Sequence, residues 1–321
     1  MPVIKDESYK PRLLLRNGHL NTLNAYLFRK QKHPAFIRER ITTPDDDFLD
    51  LDCITQGSRK LAILLHGLEG STNSQYIIGM TNNLAHAGYD VIALNHRSCS
   101  GEMNLKKSFY HSGFVDDFVF LLEKYHQEYE SVTAIGYSLG GNVLLRYAGL
   151  YASKHPANLE RILSVSAPCD LHGSSLRLLE TQNKIYAIQF LKTLKHKILL
   201  KSTIFPDVDA AQFSKVKTLW DFDEYYTAPL HGFKDAMDYY TSCSSLQVLS
   251  QISMPTYLIS ALDDPFLSKT CFPYQQASEN PNFHFIPLKY GGHVGFSYQN
   301  SLSYADRLIM GLLTNSTEPT I

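Results

Sequence analysis

The chain has 321 residues, 44% of them hydrophobic, enough to bury a full core either as one large domain or as a domain carrying an insertion. With 30 basic and 31 acidic residues the formal net charge is −1, which gives no electrostatic reason for a polyanionic partner and sets nucleic-acid binding aside. The five cysteines (Cys53, Cys99, Cys169, Cys243, Cys271) are odd in number and contain no C-x-x-C pair, so the chain lacks the signature of a disulfide framework or a zinc knuckle and fits reduced thiols in a cytoplasm.

The N-terminal stretch MPVIKDESYKPRLLLRNGHL has charges on both sides of a three-leucine run, too short for a signal segment or a membrane span. No later apolar run approaches spanning length, so a soluble protein is expected. Residues 39–43 and 48–54 read as extended, separated by the turn-forming Pro44-Asp45-Asp46-Asp47, which predicts an antiparallel hairpin. From Leu61 onward, buried strands alternate with helices: LAILLH, a helix over 76–87, DVIALN, a helix over 114–129, SVTAIGYS, a helix over 139–152, and RILSVSA. That alternation predicts a parallel sheet wrapped by helices. Residues 171–249 break the rhythm with lysine-rich and aromatic-rich helical segments and no convincing buried strand, and they read as an inserted helical cap. Strands resume at PTYLIS and FHFIPL, followed by a final helix over about 298–313. The expected division is therefore a core of residues 1–170 and 250–321 with a cap of 171–249.

The strongest chemical signal is Gly136-Tyr137-Ser138-Leu139-Gly140-Gly141, a G-x-S-x-G directly after the apolar SVTAI and directly before a helical pattern. A nucleophilic serine on so tight a strand-to-helix turn requires glycine two positions to either side. The helix that follows would aim its N-terminal dipole, and the Leu139 N–H, at a developing oxyanion. Because a serine hydroxyl is a weak nucleophile near neutral pH, it needs a base, and the base needs an orienting acid. His293, in Gly291-Gly292-His293-Val294-Gly295-Phe296 after the last strand, is the candidate base. Asp263 and Asp264 follow PTYLIS, and Asp264, at the start of an Asp-Pro step, is preferred as the acid. The second oxyanion donor is expected after an early strand, in His66-Gly67-Leu68-Glu69-Gly70, with the Leu68 N–H best placed and His66 read as a loop-shaping hydrogen bonder.

These motifs together resemble the YheT-like esterase family of the α/β-hydrolase superfamily. The resemblance is carried by RNGHLNTL at positions 16–23, HGLEGSTNSQY at 66–76, HRSCSGE at 96–102, GYSLGGN at 136–142, DDPF at 263–266 and GGHVGF at 291–296, in the family's order over nearly the whole chain. It implies an α/β-hydrolase fold, Ser138 as nucleophile, Asp264 as acid, His293 as base, and an ester as substrate, lipid or short-chain acyl. Relatives usually have glycine where this chain has Ser98, a change expected to alter that loop's backbone. The animal relatives are membrane-anchored; their anchoring segment is not found here, so their location does not transfer. The same triad serves thioesters and amides, and a non-catalytic ligand-binding protein of this fold is a further alternative.

No H-E-x-x-H, G-x-G-x-x-G or Walker-type G-K-[ST] calls for a metal or a cofactor. Asn17-Gly18-His19 reads as a turn packing the N-terminal segment onto the core. Between Lys184 and Lys201 lie five lysines, no acid, and Ile185, Ile188, Leu191, Leu194 and Ile198 at helical spacing. This predicts an amphipathic cap helix with its apolar face on the core and its lysines solvated, in preference to a helix lying on an anionic membrane.

Overall fold

The structure, a computed structural model, describes residues 2–297 and 303–314. Eight strands form one sheet: β1 (Ile37–Thr42), β2 (Phe48–Ile54), β3 (Lys60–Leu65), β4 (Asp90–Asn95), β5 (Ser131–Tyr137), β6 (Leu159–Val165), β7 (Thr256–Ala261) and β8 (Phe283–Leu288). Their order is β1-β2-β4-β3-β5-β6-β7-β8. The predicted hairpin forms, and β2 is antiparallel to β4 as well as to β1; every other pairing is parallel. Charge helps fix the hairpin register. Arg38 lies opposite Asp52 and Arg40 opposite Asp50, and each guanidinium forks onto its partner's carboxylate at 2.5–2.8 Å. These arginines also blunt the edge strand against pairing with another sheet.

Eleven α-helices are described: α1 (Gly18–Phe28), α2 (Gln75–His86), α3 (Asp116–Tyr125), α4 (Leu139–Leu150), α5 (Leu171–Leu179), α6 (Lys184–Ser202), α7 (Leu219–Phe222), α8 (Ala228–His231), α9 (Ala236–Cys243), α10 (Tyr274–Glu279) and α11 (Tyr304–Thr314). Alternation within the strands divides the core into two layers. Leu61, Ile63 and Leu65 of β3 pack with Phe118 of α3 and Leu144 of α4, while Ala62 and Leu64 pack with Met80 of α2 and Ile309 of α11. The final helix begins at Tyr304; the predicted start at 298–302 lies outside the described residues. Residues 171–251 contribute no strand and run through helices, the long α6 among shorter ones, with a single π turn at Asp223–Thr227 joining α7 to α8. No helix among the described residues is long and apolar enough to cross a membrane.

The loops after β3, β5, β7 and β8 all leave the carboxyl edge of the sheet, where ligands of open α/β sheets bind.

Candidate active site

At the turn between β5 and α4, Ser138 adopts φ +51° and ψ −117°, a conformation disfavoured for a side-chain-bearing residue. The surrounding glycines make it possible. A Cβ on Gly136 would overlap the Gly140 carbonyl, and one on Gly140 would overlap the carbonyls of Leu65 and His66. The Ser138 N–H is anchored on the Val165 carbonyl at 2.8 Å, and the side chain projects into a cavity. Leu139 opens α4, so its N–H belongs to the first turn, which has no intrahelical acceptor.

His293 meets this serine from the loop after β8. Its Nε2 lies 2.9 Å from Ser138 Oγ, and its Nδ1 lies 2.9 and 3.1 Å from the two carboxylate oxygens of Asp264. The Asp264 side chain is fully buried and also accepts the Phe266 N–H at 2.8 Å, while the Phe266 ring lies against the imidazole. Asp263, its neighbour, faces elsewhere: it accepts the Gly292 N–H at 2.9 Å, and burial, reinforced by the charge of Asp264, pushes its carboxyl up to about 6.

The His293 loop is held by a part of the chain that sequence reading took for a simple turn. Asn17 caps α1, accepting the Leu20 N–H, and the first turn of the helix presses onto the aspartate loop so closely that a Cβ on Gly18 would overlap the Asp263 carbonyl. Thr22 Oγ1 donates to the Gly18 carbonyl and accepts the His293 N–H at 2.8 Å; Asn21 Oδ1 accepts the Ser297 N–H at 3.0 Å. The RNGHLNTL motif therefore supplies a helix that supports both the Asp263–Asp264 loop and the His293 loop.

On the other side of Ser138 is the His66-to-Gly70 loop. Gly67 abuts the serine, since a Cβ there would stand 3.0 Å from that of Ser138. His66 Nε2 accepts the His96 N–H at 3.1 Å, so its Nδ1 carries the proton and donates to the Gly67 carbonyl at 2.7 Å. Burial holds His66 well below its usual range and His96 down to about 4, so both rings are neutral shaping groups. Ser98 adopts a left-handed conformation that favours glycine, at φ +61°, and its hydroxyl accepts the Asn104 N–H at 3.2 Å while Asn104 Oδ1 accepts the Ser98 N–H. The two hydrogen bonds to Asn104 hold Ser98 in this conformation.

Three residues of this region carry no sequence motif that marks them as a unit. Glu69 sits at φ +53°; its N–H donates to Tyr110 Oη at 2.7 Å, and the same hydroxyl donates back to its carboxylate at 2.8 Å. Lys197 of α6 donates to that carboxylate at 2.7 Å and lies 3.1 Å from Cys99 Sγ. This corrects the reading of α6 as a helix with solvated lysines. Lys197 is ion-paired, Lys195 donates to the Val216 carbonyl, and Lys201 is fully buried, donating to the carbonyls of Lys106 and Ser108. Ile185 and Ile188, expected on the core, are exposed, whereas Leu191 and Ile198 pack with Leu219, Phe222 and Tyr226. Three of the five lysines turn inward because carbonyls and a carboxylate are there to receive them, while Lys184 and Lys192 stay exposed as expected.

The cavity holds about 870 Å³. Leu68, Ser138, Leu139 and His293 are on its wall, and α5–α9 contribute apolar side chains including Phe190, Leu194 and Phe222. Among the described residues no group of three or more His, Cys, Asp or Glu side chains is placed to hold a metal ion.

A mostly parallel sheet with a serine on a glycine-flanked elbow, and a histidine on the loop after the last strand, defines an α/β hydrolase; the alpha/beta hydrolase fold family model matches residues 61–296. More narrowly, the chain belongs to the family of the protein named "Putative esterase YheT" from Escherichia coli strain K12, to which it is 34% identical over 289 residues, covering 87% of this chain and 84% of that protein. It is also similar to Phospholipase ABHD3 of Homo sapiens, 28% identical over 96% of this chain and 78% of that protein. Among solved structures, the Pyrococcus furiosus esterase Pf2001 shares the fold, with TM-score 0.56 at 17% identity over 87% of this chain and 96% of that one.

Proposed function

We propose that the chain is a serine hydrolase of carboxylic esters with apolar acyl groups, acting through Ser138, His293 and Asp264. The observation that carries this reading is the continuous relay from Ser138 Oγ through His293 to the buried Asp264 carboxylate, both links at 2.9 Å, at the wall of a large, mainly apolar cavity. His293 Nε2 takes the hydroxyl proton as Ser138 Oγ attacks the ester carbonyl, and Asp264 stabilises the imidazolium. The tetrahedral oxyanion is received by the N–H groups of Leu68 and Leu139. On collapse, the carbonyl carbon's bond to the alkoxy oxygen breaks and the alcohol leaves with the proton from His293. Water, deprotonated by the same imidazole, then attacks the acyl-enzyme and releases the carboxylic acid, with Ser138 reprotonated. The helices of residues 171–249 act in this reading as a cap that shapes the acyl site. Relatives named as an esterase and a phospholipase support the ester as substrate.

Ser138→Ala tests the assignment. The variant is expected to lose p-nitrophenyl ester hydrolysis and fluorophosphonate labelling while keeping the wild-type circular dichroism spectrum and melting temperature; either activity surviving at wild-type level would overturn it.

A further inference from the structure

Around the mouth of the cavity the usual distribution of side chains is inverted. Helix α1 buries Gly18, Asn21 and Thr22 and turns large apolar groups outward: Tyr26 is 75% exposed, Leu27 56% and Phe28 70%. The helix contains no charged residue. Just before it, a 3₁₀ turn, Leu13–Arg16, leaves Leu13 and Leu14 about three-quarters exposed. Across the opening, Ile185 and Ile188 of α6 are also more than half exposed, and the two helices are joined by His19 stacked on Tyr186. Tyr26, Leu27 and Ile185 line the cavity itself, so part of the exposed apolar collar continues into the site. A patch of this kind marks an interaction surface.

Its charge shows what the surface fits. The chain as a whole is nearly neutral, yet no acidic residue occurs between Glu7 and Glu39 or between Glu180 and Asp207. Within those acid-free stretches the exposed cations Lys10, Arg12 and Arg16 bracket the leucine turn, Lys30 and Lys32 follow α1, and Lys184 precedes Ile185. Apolar side chains within a basic rim match an anionic lipid surface, where the former enter the acyl boundary and the latter meet phosphate. A second copy of the chain is a poorer fit, because it would oppose two basic rims and close the opening through which substrate must pass. We propose that this collar, formed by the 3₁₀ turn, α1 and the first turns of α6, docks the protein on an anionic phospholipid bilayer with the cavity mouth facing the lipid. Lys195, Lys197 and Lys201 of α6 take no part, being engaged within the protein.

The test is flotation of the full chain with phosphatidylcholine vesicles, with and without about 30 mol% phosphatidylglycerol. The wild type is expected to float with the anionic vesicles, less as salt rises from about 0.1 to 0.5 M. Leu13→Asp combined with Leu14→Asp is expected to lower the bound fraction about tenfold while leaving hydrolysis of the soluble p-nitrophenyl butyrate unchanged. Should that variant fold poorly by circular dichroism, Ile188→Asp makes the same test from across the mouth. The proposal is overturned if the wild type does not float, if it binds neutral and anionic vesicles alike, or if the substitutions leave binding intact. It is also overturned if light scattering shows a dimer that these substitutions dissociate. Binding needs no turnover, so its failure leaves the ester reading standing, and an inactive protein that still binds leaves this inference standing.

Discussion

Asp263 and Asp264 are neighbours in the chain but face different hydrogens, and their substitution separates their roles. Asp264 receives the imidazole, so Asp264→Asn removes the acceptor that fixes the His293 tautomer and is expected to lower kcat by roughly 10³–10⁴-fold. Asp263 holds the Gly292 N–H, which an amide oxygen can also accept, so Asp263→Asn is expected to keep the greater part of the activity. The two variants also differ in their response to pH. The Asp263 carboxyl is raised by burial from its ordinary 3.8 to about 6, so the stability it contributes is complete below about 4 and lost as pH rises through 6. Asp263→Asn removes that loss. Denaturant titrations should show the variant gaining on the order of 1 kcal/mol relative to wild type between pH 4 and 7, after allowance for the partial exposure of the group. A constant difference across that range would show that Asp263 does not titrate there.

Among the secondary-structure elements, α6 and α1 reach into the site from far away in sequence, and this separates what the sequence shows from what it hides. The strands were legible because parallel strands buried on both faces read as continuous apolar runs, and Ser138 was legible because its backbone demands glycine at fixed offsets. His293 and the aspartate pair were placed by order along the chain. The supports of the site have no such local signature. Thr22 meets His293 across 271 positions and Lys197 meets Glu69 across 128, contacts that no periodicity within either helix encodes. The inward lysines of α6 misled the reading because periodicity assigns charge to water unless a buried partner is known. The Lys197–Glu69 pair has a consequence for catalysis under the proposed mechanism. Lys197 and Tyr110 together hold Glu69 in its positive-φ conformation, next to the Leu68 amide. Lys197→Met should therefore leave KM for a p-nitrophenyl ester nearly unchanged and lower kcat by about 10–100-fold, less than outright loss of an oxyanion donor. A fall confined to KM would make Lys197 a substrate-binding residue instead.

For the molecule as a whole, loops at the carboxyl edge of the sheet carry the residues of the proposed mechanism, and the helices between β6 and β7 share the cavity wall with α1 and the loops after β3 and β4. Those helices have a satellite core of their own, built on Leu191, Ile198, Phe222 and Tyr226, which meets the main core at Phe109. The cavity they line is far larger than an acetyl group needs, at about 870 Å³, and within the range of sites that enclose whole small ligands. If acyl chains enter it, each methylene buried in the transition state contributes about 0.8 kcal/mol, close to a fourfold rise in kcat/KM. A series of p-nitrophenyl esters from acetate upward should rise at that pace and level off once the apolar wall is covered. The plateau should be under the control of the helical segment rather than the triad. Leu194→Trp, which adds bulk to the cavity wall, is expected to move the plateau to shorter chains while leaving acetate hydrolysis unchanged, since the smallest acyl group never reaches that wall. If the substitution slows acetate and long-chain esters equally, the acyl group lies elsewhere, and the cavity beneath α6 serves the alcohol side of the ester.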